Sequence, residues 1–145
     1  MKLSTRSRYG VRLMFELAVN YNKGAMQLND ISSKEEISEK YLSQIVIQLR
    51  LSGLINSIRG SQGGYLLAKR PEEITIKDIV ESLEGGLDIV DCVEDQTTCK
   101  RSTICVTQMV WKKLSATIKE TLNSIKLSDL VEWDKSRKQE LTYFI

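Results

Sequence analysis

The stretch from Leu28 to Leu67 constrains this chain more than any other. Leu28-Asn29-Asp30-Ile31 opens a helix with Asp30 well placed against the positive end of its dipole. Glu36-Ile37 form a turn, and Ser38 is a good cap for a second helix that runs from Glu39 to Ser52. Leu42, Ile45, Val46 and Leu49 follow the i, i+3, i+4, i+7 spacing of one buried face, and Gly53 stops the helix. Leu54–Ile58 alternates apolar with polar, and Tyr65–Leu67 reads as a second strand. Gly60, Gly63 and Gly64 supply the backbone freedom for a turn between the strands. A helix, a turn, a helix and a glycine-tipped hairpin in direct succession form a winged helix-turn-helix, whose second helix enters the DNA major groove.

The outward face of that second helix fits this use. Lys40, Ser43, Gln44 and Ile47 point away from the apolar stripe, with Tyr41 and Gln48 on one flank and Arg50 on the other. Gln44 suits a bidentate bond to adenine, with Tyr41 and Ser43 beside it, while Lys40 and Arg50 suit phosphates. Ser38 lies at the start of the same helix, and Arg59 with Gly60 forms a wing tip suited to a narrow minor groove. Arg6, Arg8 and Arg12 make the start of the first helix basic, and they too could rest on phosphates; a solvated helix face is the plainer reading.

The remaining segments read as supporting and regulatory parts. A first helix is expected from about Thr5 to Tyr21, capped by Ser4 or Thr5, with Tyr9, Leu13, Met14, Leu17 and Ala18 inward and Gly24 beyond its end. Thr75–Glu84 is a helix with Ile76, Ile79, Val80 and Leu83 on one side, closed by Gly85-Gly86. Residues 85–103 have no periodicity and read as a long loop. From Thr103 to Lys126 an apolar stripe runs through Val106, Met109, Val110, Leu114, Thr117, Ile118, Leu122 and Ile125, longer than one small domain needs. It is read as a dimerisation helix, with a helix docked wholly in its own domain as the competing reading, followed by a last helix capped by Ser128 and an apolar ending, Leu141–Ile145. The fold class is therefore mainly α: a winged helix-turn-helix with a two-stranded wing and a long C-terminal dimerisation helix. The expected division is 1–70 for DNA binding, 71–102 for a linking helix and cysteine loop, and 103–145 for dimerisation and a C-terminal arm.

Cys92, Cys99 and Cys105 cluster in or beside the long loop, spaced C-x6-C-x5-C. Metal or cluster binding is favoured over inert thiols, and the spacing lacks the Cys-x2–4-Cys pairs that zinc prefers. A thiol redox switch is the competing use. The chain has no His, so a fourth ligand would be Gln108, Asp91, Glu94, Asp95, a partner residue or an exogenous group.

Charge and composition narrow the partners. Residues 1–70 hold 11 Lys/Arg against 5 Asp/Glu, and residues 71–145 hold 10 against 14, for the net +2 of the chain. A basic first half beside an acidic second half suits a nucleic-acid reader with a separate regulatory half. Nothing approaches the roughly 20 apolar residues of a membrane span, and the start has no signal-peptide pattern, so a cytoplasmic location is expected. Without His, a nucleotide-binding loop or a buried-carboxylate pattern, no catalytic constellation can be assembled.

Four motifs tie these readings together. They are Ser4-Thr5-Arg6-Ser7-Arg8-Tyr9-Gly10, Tyr41-Leu42-Ser43-Gln44, Leu49-Arg50-x-x-Gly53-Leu54 and Arg59-Gly60-x-x-Gly63-Gly64-Tyr65-x-Leu67-Ala68. Over essentially the whole chain the sequence resembles bacterial regulators of the IscR/NsrR/CymR type. The resemblance implies a homodimeric winged-helix repressor or activator on a palindromic double-stranded operator. It also implies an iron–sulfur cluster, expected as [2Fe–2S], on Cys92, Cys99 and Cys105 with a variable fourth ligand. The sequence departs from that pattern at Gln108, where IscR carries His, and at Arg8, where NsrR carries an acidic residue. It departs also at Ser43, commonly Glu in this type. The Tyr143-Phe144-Ile145 ending is like that of CymR, which lacks the cluster cysteines; this points towards sulfur metabolism, with a sulfur-metabolism protein as a further partner. The alternative function is a thiol-redox or small-molecule-responsive repressor of the CymR type without a cluster.

Overall fold

The computed structural model describes residues 2–143. Seven helices and one two-stranded sheet are described, in the order α1 (Thr5–Val19), α2 (Leu28–Glu35), α3 (Glu39–Leu51), β1 (Ile55–Ile58), β2 (Gly64–Leu67), α4 (Ile76–Glu84), α5 (Asp91–Glu94), α6 (Gln108–Ser124) and α7 (Leu127–Tyr143). The winged helix-turn-helix and the long C-terminal helix are both present, as the sequence predicts. One core runs through all of the helix-turn-helix half and beyond it. Leu13, Met14, Ile31, Leu42, Leu49, Ile74, Ile79 and Leu127 have no exposed surface at all, so α1 to α4 and the start of α7 share a single interior.

Local chemistry sets the element ends. Ser4 Oγ accepts from Ser7 N at 3.1 Å to start α1, and Ser38 Oγ accepts from Tyr41 N at 3.1 Å to start α3. Thr75 and Asp78 form a reciprocal capping box at the start of α4. The wing pairs antiparallel with Ile55 opposite Leu67 and Ile58 opposite Gly64. Met26 adds a third backbone segment, exchanging bonds of 2.8 and 2.9 Å with Tyr65. That approach requires Gly64: a Cβ there would stand 2.3 Å from Met26 O. Gly10 has the same role between helices, since a Cβ there would lie 2.1 Å from the Leu83 side chain of α4.

Several boundaries differ from the sequence expectation. Helix α1 ends at Val19, two residues early, because the chain turns through Asn22 in a left-handed conformation before it reaches Gly24. Strand β1 buries only Ile55 and leaves Ile58 half exposed, so simple alternation fails where the wing leaves the core. Residues 85–103 are not all loop: α5 and a 3-10 turn at Gln96–Thr98 lie within them. Helix α6 starts at Gln108 rather than Thr103, after consecutive turns over residues 100–104. Ser128 does not cap α7. The helix already begins at Leu127, and Asp129 takes the capping part by accepting from Lys126 N at 2.8 Å. Of the apolar ending, Leu141–Tyr143 belong to α7, and Phe144 and Ile145 lie outside the described residues.

Candidate nucleic-acid interface and cysteine segment

Helix α3 is anchored by Leu42, Ile45, Val46 and Leu49, each at most 2% exposed. Lys40, Ser43, Gln44, Ile47, Gln48 and Arg50 consequently stand in solvent on the other faces. Ser43 Oγ donates to Lys40 O at 2.7 Å and so follows the helix backbone, whereas no hydrogen bond among the described residues fixes the Gln44 amide. Tyr41 is half-buried and meets Tyr9 of α1 edge-on, with ring centroids 5.7 Å apart. Ser38 uses its hydroxyl as the helix cap. The structure thus brings Lys40, Ser43, Gln44 and Arg50 onto one helix and gives Ser38 and Tyr41 architectural contacts beside them.

The other candidate residues occupy separate positions. Arg59 and Gly60 are exposed at the wing tip, where Gly60 has a φ of 114° and its carbonyl accepts from Gly63 N at 3.0 Å. Arg6 and Arg8 are exposed in the first turns of α1, with Arg8 Nη2 donating to Thr5 Oγ1 at 3.0 Å. Arg12 differs from them. Its Nε donates to Glu35 Oε2 at 2.8 Å, its Nη2 bonds Glu35 O, and its guanidinium lies 5.3 Å from the Tyr9 ring centre. This side chain closes the end of α2 just before the turn, where Glu36 takes a left-handed conformation with φ of 55°. Sequence reasoning grouped Arg12 with the phosphate candidates; an Arg and a Glu 23 positions apart carry no local signal that they meet.

The cysteine segment is fastened to α6 by polar groups. Gln108 is 3% exposed, and its Nε2 donates to Cys92 O at 2.7 Å. Ser115 is 2% exposed and accepts from Ile89 N at 3.3 Å, and Lys119 pairs with Asp88 at 2.8 Å. Three side chains of α6, spread over about three turns, therefore hold the chain from Asp88 to Cys92. Gln108, weighed as a fourth ligand, spends its amide nitrogen on this anchoring. Asp95 is likewise engaged: its carboxylate accepts from the Thr97 hydroxyl at 2.7 Å and Thr97 N at 2.9 Å, which holds its pKa down.

Cys92 and Cys105 are half-buried and Cys99 is exposed; all three are free thiols. Cys105 Sγ lies 3.1 Å from Thr107 Oγ1, and the Thr107 hydroxyl, followed by Gln108 N–H, lowers the thiol's pKa. Between Cys99 and Cys105, the Ser102 hydroxyl is buried with no hydrogen-bond partner among the described residues. The donor set has the chemistry of a thiolate-held iron–sulfur cluster. In this conformation, however, no three Cys, Asp or Glu among the described residues are placed to hold one metal ion.

Comparison with known proteins resolves the type. Residues 3–133 match the Rrf2 model, described as an iron-dependent transcriptional regulator. The chain belongs to the Rrf2 family. Within it, the HTH-type transcriptional regulator CymR of Bacillus subtilis is 37% identical over 145 residues, covering all of both chains. The solved structure of that global cysteine regulator matches 92% of this chain and 98% of its own, with a TM-score of 0.76 and 39% identity. IscR of T. potens matches 91% of this chain and 87% of its own, with a TM-score of 0.75 and 39% identity. This Rrf2-family protein is a transcriptional regulator of the CymR/IscR type. No helix among the described residues is long and apolar enough to cross a membrane.

Proposed function

We propose that the protein regulates transcription as a homodimer on a palindromic operator, reading bases with α3 and the adjoining minor groove with the wing. The observation that carries this reading is the face of α3: Lys40, Ser43, Gln44 and Arg50 lie exposed opposite a fully buried stripe. Gln44 would read adenine, while Lys40, Arg50, Arg6 and Arg8 would take phosphates and Arg59 would reach the minor groove from the wing. Ser38 and Tyr41 set the start of α3 through the cap and the Tyr9 contact. Site selection from random duplex, followed by affinity measurement, tests the assignment. Gln44→Ala should lose discrimination at one base pair per half-site, by about 1–3 kcal/mol. An equal loss on unrelated DNA would remove Gln44 from base reading.

The cysteine segment is proposed as the sensor. Cys92, Cys99 and Cys105 would hold an iron–sulfur cluster, which supplies an iron- and redox-responsive centre when bound. The unpartnered Ser102 hydroxyl supports this segment as the part that rearranges, since a buried hydroxyl without a partner costs about 1–3 kcal/mol. Because Gln108, Ser115 and Lys119 tie the segment to α6, a rearrangement there bears directly on that helix. The second reading, a cluster-free thiol-redox or small-molecule-responsive repressor, is favoured by the engagement of Gln108 with Cys92 O, which occupies the amide nitrogen of a candidate fourth ligand. Anaerobic purification with iron and acid-labile sulfide analysis separates the two. Stoichiometric iron lost in Cys92→Ala supports the cluster. Colourless protein after reconstitution, with DNA affinity that follows thiol oxidation, supports the second reading. A sulfur-metabolism protein as a further partner has no support among the relatives and is not proposed; a cytoplasmic site of action follows from the DNA partner.

A further inference from the structure

We infer that Ile47 is a specificity-determining residue that reads a thymine methyl group in the major groove. The inference rests on α3 being the groove-reading helix, as proposed above, and adds a base and a chemistry to it. The direction opposite the buried stripe of α3 is held by Lys40, Gln44, Ile47 and Leu51. Ile47 is 59% exposed in the middle of this row. A single exposed aliphatic side chain is ordinary on a protein surface. Its place is what distinguishes this one, because apart from Leu51 one turn further on the neighbouring outward groups are a hydroxyl, two amides and two cations, those of Ser43, Gln44, Gln48, Lys40 and Arg50. That setting has the charge and polarity to meet nucleic acid rather than an apolar protein groove.

The geometry of a helix then fixes the neighbourhood. Ile47 follows Gln44 by three residues, about 4.5 Å along the axis and nearly one turn on. A helix that brings Gln44 to a base edge therefore carries Ile47 towards an adjacent base pair, about 3.4 Å away. In the major groove only thymine presents an apolar group, its C5-methyl; the other groups there are hydrogen-bond donors and acceptors. An isoleucine against those polar edges would remove their water and return no hydrogen bond, so it disfavours them as well as favouring thymine. Ser43 competes weakly for this position, since its hydroxyl hydrogen is already given to Lys40 O. Leu51, 78% exposed, lies a further turn towards the helix C-terminus, past the N-terminal part that contacts bases in this motif, and provides an internal control.

The test uses the full chain and the duplex it selects from a random pool. Each thymine of the selected site is replaced singly by uracil, which removes only the methyl group. At one thymine per half-site, uracil should weaken wild-type binding about fourfold, the worth of one buried methyl. Ile47→Ala should bind the thymine site more weakly and show no further loss with uracil there, while Leu51→Ala keeps the wild-type uracil response. A selected site insensitive to uracil at every thymine, or the same uracil loss in Ile47→Ala as in wild type, overturns the inference and leaves α3 as the reader. A chain that enriches no sequence at all overturns the reading of α3 itself and this inference with it.

Discussion

Glu84, at the end of α4, gathers the first turn of α1 onto one carboxylate oxygen. Its Oε1 accepts from Ser7 Oγ at 2.6 Å, from Ser4 N at 3.2 Å and from the Ser4 hydroxyl. The Ser4 hydroxyl first, then that of Ser7, pulls the Glu84 pKa down despite some desolvation. A depressed carboxylate adds stability that is present above the ordinary carboxylate range and lost as pH falls through its folded-state value. Ser7 has no exposed surface, so removing Glu84 leaves its hydroxyl buried without this acceptor. Glu84→Ala should cost about 1–3 kcal/mol at neutral pH in urea unfolding, and the difference from wild type should shrink on acidification below pH 4. Unchanged stability at neutral pH would show that Ser7 finds another partner. These residues also bound what a sequence can tell: Ser4 was legible as a cap because capping is local, whereas its bond to a residue 80 positions away was not.

At the scale of elements, the join between α1 and the helix-turn-helix is ionic on one side and aromatic on the other. Arg12 bonds the carboxylate and carbonyl of Glu35 at the end of α2, and Tyr9 carries the contact on to Tyr41 of α3. A second carboxyl, that of Glu16, also meets Glu35; burial, then the shared hydrogen bond and the charge of Glu35, raise the Glu16 pKa. A raised acid favours the folded state fully below its unfolded pKa, and that advantage fades as pH rises through the folded value. Glu16→Gln keeps a group able to donate to Glu35 and removes the ionised repulsion. It should raise the melting temperature by about 1–4 °C at pH 7–8, with the gain vanishing near pH 4. A gain independent of pH would assign the effect to packing instead. Helix and hairpin order could be read from sequence because the 3.6- and 2-residue periods are local. The start of α6 could not, because the apolar Ile104 and Val106 extend the helical pattern into residues that are turned and 72% and 76% exposed.

That exposure has a use at the scale of the whole molecule, in the proposed homodimer. Val106, Met109 and Val110 form one row at and before the start of α6, 76%, 68% and 56% exposed, with Ile104 and Trp111 beside them. In the first part of the same helix the inward side is occupied instead by Gln108 and Ser115, which serve the cysteine segment, while Leu122 further along packs against the core. A helix start with polar anchors inside and its aliphatic row outside has the pattern reversed for a monomer, since contiguous exposed apolar surface marks an association site. Pairing of this row with its copy across a two-fold axis would cover it and set two α3 helices to meet successive major grooves. The paired Met109→Lys and Val110→Lys change should therefore convert a dimer into a monomer by light scattering at micromolar concentration while the thermal transition persists. Affinity for a full palindrome should fall by about 10²–10⁴, the loss of effective concentration, whereas affinity for a half-site changes little. A wild-type chain that is monomeric at tens of micromolar would remove the dimer, and a double variant that keeps full-site affinity would place its contact elsewhere. The same variant probes the sensor, because Gln108 lies between these two faces. If the cysteine segment controls DNA binding through the dimer, the monomer's half-site affinity should no longer respond to iron or thiol oxidation. If it acts inside one chain, that response should survive in full.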